Sequence, residues 1–222
     1  MTTMLPIRAL LISWVSCMTV WGAGASRFED DFRGGPASGW TVLRERSDAW
    51  RIGERGLEVR ALPGNLWGPA NDAPNTWVRP APDPEKGPVT VTVEVENRPT
   101  EQYEQVNLVW YYDDGHQVKL GQEMVDGKLC IVMGREEGDR TRTIAIVPIE
   151  ADAWVVEVRF EVEGRTIRGL FRMPGSEDWR EAGVCDLPVK GEPKISLQVY
   201  QGTDRVERWA RFGRFRMEQR RE

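Results

Sequence analysis

Residues 105–121 read QVNLVWYYDDGHQVKLG. Val106, Leu108, Trp110 and Tyr112 fall on one face of an extended strand, because successive side chains of a strand point to opposite sides. Asp114-Gly115 then predicts a tight turn with positive φ angles, and a second strand starts at once with His116. The stretch is a β-hairpin. His116 is also the only histidine in the chain, so a histidine-dependent active site has few ways to be built.

The same alternation continues outward from the hairpin. Valine occupies every odd position of 89–95, while Trp154, Val156, Val158, Phe160 and Val162 take every even position of their segment, and 195–199 repeats the pattern. Thr, Glu and Arg fill the opposite faces, as expected of antiparallel sheets with one side on a core and one in water. Further strands are predicted at 40–44, 57–61, 128–133, 143–147, 166–173 and 208–217, separated by glycine, proline and charged turns. Helical periodicity is nearly absent. The chain reads as all-β, with Trp110 and Trp154 in the core and Trp40, Trp50 and Trp209 at the core or its edge.

One segment breaks the rhythm. Residues 62–88 carry prolines at 63, 69, 74, 80, 82, 84 and 88, and set Trp67 and Trp77 among Asn65, Asn71, Asp72 and Asn75. This predicts a stiffened loop around a short strand at 76–79, and long ordered loops on a rigid scaffold often hold ligand-binding side chains.

The first residues have the parts of a secretory signal: Arg8, an apolar run over 9–21, and Ala23-Gly24-Ala25 before Ser26. Cleavage after Ala25 would divide the chain into a signal peptide (1–25), one domain (26–217) and a charged tail (218–222), placing the product outside the cytoplasm, secreted or periplasmic. The apolar run is shorter than the roughly 20 residues of a membrane span, so no transmembrane segment is expected after cleavage. Val15-Ser16-Cys17 matches a lipoprotein signal only in part, with Trp14 where leucine is usual, and lipidation through Cys17 is set aside. The chain carries a formal charge of −5 and no basic block except its C-terminal end, which argues against a nucleic-acid partner. Cys130 and Cys185 either form one disulfide or pack as small buried apolar groups.

In order along the chain, Leu57-Glu58-Val59-Arg60-Ala61, Asn75-Thr76-Trp77-Val78-Arg79, the segment YEQVNLVWYYDDGHQVKLG from Tyr103, and FGRFRM from Phe212 resemble the concanavalin A-like domain at the C-terminus of family 43 glycoside hydrolases such as bacterial β-xylosidases. They are also similar to related secreted bacterial proteins of no assigned function. The resemblance implies a jelly-roll sandwich of two antiparallel sheets, whose concave face in many relatives holds sugar chains. Gly213 stands where such domains usually have an acidic residue that helps to bind a structural calcium ion, so no cofactor is expected, and calcium rests only on Glu29, Asp30 and Asp31. The catalytic propeller of those hydrolases has no room here.

Catalysis has little to stand on. No serine sits in G-x-S-x-G, no set of histidines builds a zinc site, and neither G-x-G-x-x-G nor G-x-x-x-x-G-K occurs. Glu94 with Glu96, and Glu161 with Glu163, have the spacing of a carboxylate pair, but that is also the spacing of any solvated strand face. No catalytic residue is assigned. Binding fits better, because sugars lay their C–H faces on aromatic rings while amides, carboxylates and guanidinium groups take their hydroxyls. The ligand-binding candidates are Trp67, Trp77, Asn75, Arg79, Tyr112, Asp113 and His116, with Gln105, Asn107, Lys119 and Gln122 as solvent-facing polar neighbours. The expected function is an exported, non-catalytic carbohydrate-binding or carbohydrate-associated module whose partner is a polysaccharide or oligosaccharide. The alternatives are a stand-alone hydrolase or lyase using paired glutamates, and a structural domain that packs on an exported protein partner.

Overall fold

The computed structural model describes residues 26–220. In chain order its strands are β1 (Ser26–Asp30), β2 (Thr41–Leu43), β3 (Trp50–Gly53), β4 (Gly56–Arg60), β5 (Thr76–Pro80), β6 (Val89–Glu96), β7 (Gln105–Asp113) and β8 (His116–Val125). They continue with β9 (Lys128–Glu137), β10 (Arg140–Pro148), β11 (Val155–Glu163), β12 (Thr166–Arg172), β13 (Arg180–Asp186), β14 (Lys194–Tyr200) and β15 (Trp209–Gln219). One sheet runs β13-β12-β11-β6-β15-β4-β3, with β1 added against β15, and the second runs β10-β9-β8-β7-β14-β5-β2. All named strand pairs are antiparallel. The molecule is an all-β sandwich, as the alternation predicts.

The core lies between the sheets and is made by the alternating residues. Val89, Val91, Val93 and Val95 of β6 and Val156, Val158, Phe160 and Val162 of β11 meet Val106, Leu108, Trp110 and Tyr112 of β7 and Ile195, Leu197 and Val199 of β14. Burying each such aliphatic side chain contributes about 1.5–3 kcal/mol, and the period of two makes any one-residue slip put the whole set in water. Trp154 departs from the pattern. It lies just before β11, is 38% exposed, and carries the Arg98 guanidinium on its ring at 3.9 Å, so it belongs to the surface and not to the core.

The hairpin is present, with a different turn from the one expected. Neither Asp114 nor Gly115 has a positive φ; the Asp113 carboxylate accepts from Gly115 N at 3.1 Å, and the β7–β8 register shifts between Tyr111 and Asp113. This side-chain-to-backbone bond stabilises another local geometry. The positive-φ Asp-Gly pair occurs instead between β8 and β9, at Asp126 (49°) and Gly127 (73°).

Three strands, β1, β3 and β13, escape the alternation test because they are short or charged. At the other end β15 reaches Gln219, whose amide donates to Asp83 O and Gly87 O. Cys130 and Cys185 are both buried and free, and they sit in different sheets. No helix among the described residues is long and apolar enough to cross a membrane. The proposed signal peptide and Cys17 lie outside the described residues.

Candidate functional site

In a two-layer sandwich the outward face of each sheet is ordinarily wet. Here the outward face of the second sheet is dry over β7, β8, β9 and β14. Gln105 and Asn107 of β7, Gln117, Lys119 and Glu123 of β8, Glu136 of β9, and Ser196, Gln198 and Tyr200 of β14 are all buried, so the polar neighbours expected in solvent are enclosed. Gln122 is buried as well, its amide donating to Ala153 O at 2.7 Å. Residues 62–75 cover this face: Leu66 and Ala73 pack on Tyr200, with Trp67 beside them.

Local chemistry fixes Trp67. The Asn65 side chain accepts from Trp67 N and donates to Trp67 O, at 3.0 and 2.9 Å, while Asn65 and Asp72 exchange two further bonds that close the loop. The indole packs against β9 at Gly134, where an added Cβ would stand 2.4 Å from the ring. Glycine is required there to let the ring approach.

Beside the half-buried Trp67 the cover stops, leaving a groove of about 530 Å³ lined by Asn65, Trp67, Tyr103, Gln105, Lys119 and Glu123, with Val132, Thr143 and Ile146 on its far wall. That volume is within the range of small-ligand sites. Tyr103 is 50% exposed and holds a positive φ of 68°, with its N–H bonded to Met124 O. The turn just before it is held by the buried Glu104 carboxylate, which accepts from Thr100 N and Glu101 N and pairs with Arg208 at 2.8 Å. A strained tyrosine aimed at solvent is a common sign of a site.

The floor of the groove is charged and enclosed. Lys119 Nζ donates to Gln105 Oε1 at 2.6 Å and to Glu123 Oε2 at 2.9 Å, and lies 4.6 Å from the Trp67 ring centroid. Burial lowers the Lys119 pKa, with the Glu123 carboxylate opposing that shift. On the covered side, burial pushes Glu136 up to about 7 although Gln117 and the Gly68 N–H donate to it.

The residues singled out from sequence are not gathered in one place. Trp67 lines the groove. Trp77 is only 2% exposed and meets Trp50 edge-on at 5.1 Å, so its ring faces the core and offers nothing to a ligand. Asn75, at φ 53°, is buried; its side chain accepts from Arg46 N and donates to Arg46 O and Ala49 O, a clamp between two loops. Arg79 is buried with its guanidinium 3.1 Å over Phe28 and 5.2 Å from Trp40, and burial lowers its pKa to about 10 against the pull of Asp30. Tyr112 is in the core, its hydroxyl accepting from Trp110 Nε1. Asp113 and His116 share a 2.8 Å bond at the hairpin turn, with Lys190 on the other carboxylate oxygen. Burial alone would raise the Asp113 pKa, but those two partners hold it below the usual carboxylate range. His116 opens onto a separate depression with Arg135, Arg140 and Arg142, away from the groove.

The N-terminal acids do not converge on a cation. Asp30 accepts from Phe32 N, Ala37 N and Trp40 Nε1, Asp31 accepts from Arg33 N, and Glu29 pairs with Arg27 and Arg216. Next to Gly213 the space is filled by Arg211, whose guanidinium bonds Glu94 at 2.8 Å and Glu96 at 3.0 Å. This donor set fits a guanidinium, not calcium, and no group of three or more candidate ligands suited to a metal occurs among the described residues.

No protein-family model matches the chain, and no curated protein matches it. Solved structures do. The chain is similar to a GH43 protein of Bacillus licheniformis (TM-score 0.74, 18% identity, 85% of this chain and 38% of that one) and to a xylan β-1,4-xylosidase of Bacillus halodurans (0.73, 18%, 86% and 39%). It thus spans less than half the length of those proteins. A functionally unknown protein of Saccharomyces cerevisiae also matches (0.58, 14%), and there 82% of this chain covers 94% of the other. The shared fold is the concanavalin A-like β-sandwich. The Saccharomyces protein shows it as nearly an entire chain.

Proposed function

We propose that this chain is an exported, non-catalytic carbohydrate-binding domain, and that the groove between Trp67 and Tyr103 is where a sugar chain lies. The observation that carries this reading is the groove itself: two aromatic side chains stand over a buried Lys119–Glu123–Gln105 floor, the combination of stacking surface and fixed polar groups that sugars require. Similarity of fold to GH43 proteins agrees with it. Catalysis has less support. Glu94 and Glu96 are neutralised by Arg211, with Arg55 also on Glu96, and Glu136 lies under the 62–75 cover and not in the groove.

Affinity electrophoresis of the domain through xylans, arabinans, glucans and sulfated polysaccharides is the test. Retardation by at least one of them, lost on Trp67→Ala and on Tyr103→Ala, is the expected result. If no polysaccharide retards the native domain, or if both variants migrate like it, the reading fails.

A further inference from the structure

The floor of the groove does not end where the cover begins. Gln105, which takes the Lys119 ammonium, also accepts from Asn107 Nδ2 at 3.0 Å, and Asn107 faces Gln198 in the β7–β14 register. Gln198 donates to Gln117 at 3.1 Å, and Gln117 donates to Leu66 O and to Glu136. One polar row therefore runs from the open groove to beneath residues 66–71.

Among the described residues, and besides the Ser196 hydroxyl on the same strand face, three buried atoms in or beside this row have no partner: Asn107 Oδ1, Gln198 Oε1 and the Tyr200 hydroxyl. Enclosed polar atoms are ordinarily satisfied, because leaving one unpaired is costly. All three are uncharged, two being acceptors and one a hydroxyl, and the nearby charges are already taken: Lys119 by Glu123, Glu136 by Gly68 N and Gln117. Such a row suits the hydroxyls of a neutral sugar and not an anionic group.

The cover over them is rooted at its ends by backbone bonds and held at its tip by side chains. Backbone bonds fix the ends, Gly202 N to Leu62 O, Gln201 N to Gly64 O and Asn75 N to Arg44 O. Among the described residues no backbone–backbone bond joins 66–71 to a strand; side chains hold that tip, through Gln117 to Leu66 O, Glu136 to Gly68 N and Asp139 to Asn71. Gly64 (φ 125°) and Gly68 (φ 86°) hold positive φ angles that glycine adopts without strain.

We infer that the groove continues beneath residues 66–71, and that this tip is a strap which a neutral polyhydroxylated chain displaces to reach Asn107, Gln198 and Tyr200. The inference rests on the groove being a glycan site. A short sugar occupies the open part beside Trp67; a longer one lifts Leu66 off Tyr200 and engages the covered row.

The test compares disaccharides with hexasaccharides of the same neutral β-1,4-linked sugar, from xylan and from cellulose, by calorimetric titration with hydrogen exchange on the intact protein. The hexasaccharide is expected to bind at least tenfold more tightly and to speed exchange of the 66–71 amides, whereas the disaccharide leaves them unchanged. Gln198→Ala removes the length advantage while sparing disaccharide binding, and Leu66→Ser, which loosens the strap, enlarges it. Equal affinities with unchanged exchange at 66–71 overturn the strap and leave the groove standing, the three atoms then being satisfied by bound water. Absence of any binding overturns both, and the exchange measurement on the native chain needs no variant to fold.

Discussion

Lys119 and Glu123 form a 2.9 Å ion pair whose side chains are only 4% and 8% exposed, on a sheet face that alternation alone would assign to solvent. The pair faces Trp67 on one side and Tyr200 on the other, 4.6 and 5.9 Å from the ammonium. Its position ties the stability of the covered face to the floor of the groove.

Breaking the pair from one side leaves a buried charge without its partner, which costs about 3–5 kcal/mol. Lys119→Met or Glu123→Leu alone should lower stability by that amount in urea unfolding. The double variant should recover most of the loss, since an apolar pair of similar volume removes both desolvation costs. Equal destabilisation by the singles and the double would contradict this.

Glu136 gives the molecule a pH-dependent term of definite sign. Its folded pKa is raised from 4.5 to about 7, so the folded state holds its proton more tightly, and stability falls as pH rises through that window. At about 1.4 kcal/mol per pKa unit, the native chain should lose up to about 3 kcal/mol relative to Glu136→Gln between those two pH values. The measurement is the difference between the two stability curves; parallel curves would count against it.

Trp67 and Trp77 should separate function from stability. Trp77→Ala empties a core site and should cost about 3–5 kcal/mol. Gly134→Ala should act on the groove instead, because a methyl 2.4 Å from the Trp67 ring displaces it, and sugar retention should drop while the melting temperature moves little. The two readouts together check the assignment of each ring.

Cys130 and Cys185 are free, and burial pushes the Cys185 thiol up to about 11. Reductant should therefore leave the melting temperature unchanged, and thiol reagents should label both cysteines readily only after unfolding. A mass consistent with an intramolecular disulfide would refute this.

Much of the fold is legible in the sequence because its core strands alternate strictly: the valines of β6 and the even positions of β11 declare their faces. β1 and β13 are dominated by charge and small residues, and pair through backbone bonds that leave no side-chain period to read. Of the residues singled out for binding, Trp67 lines the groove, while Gln105 and Lys119, which also line it, read from sequence only as solvent-facing polar neighbours. Trp77, Asn75 and Arg79 share the polar, proline-rich context of Trp67, but tertiary packing turns them inward, and no local pattern reports that. Tyr103 and Glu123 carry no signal that singles them out, and Lys119 reads as solvent-facing, for the opposite reason. Lys119 and Glu123 stand two register steps apart on the polar face of β8, as solvated residues would, and only the 62–75 cover makes them a floor.

The central claim is that a sugar chain occupies the groove between Trp67 and Tyr103, and amide and indole chemical-shift mapping during titration with neutral oligosaccharides tests it most directly. The account predicts concentration-dependent shifts clustered at Trp67, Tyr103, Lys119 and Glu123, including the Trp67 indole N–H. Shifts confined to the depression around His116, Arg135 and Arg142, or no shifts with any of the oligosaccharides, would contradict it.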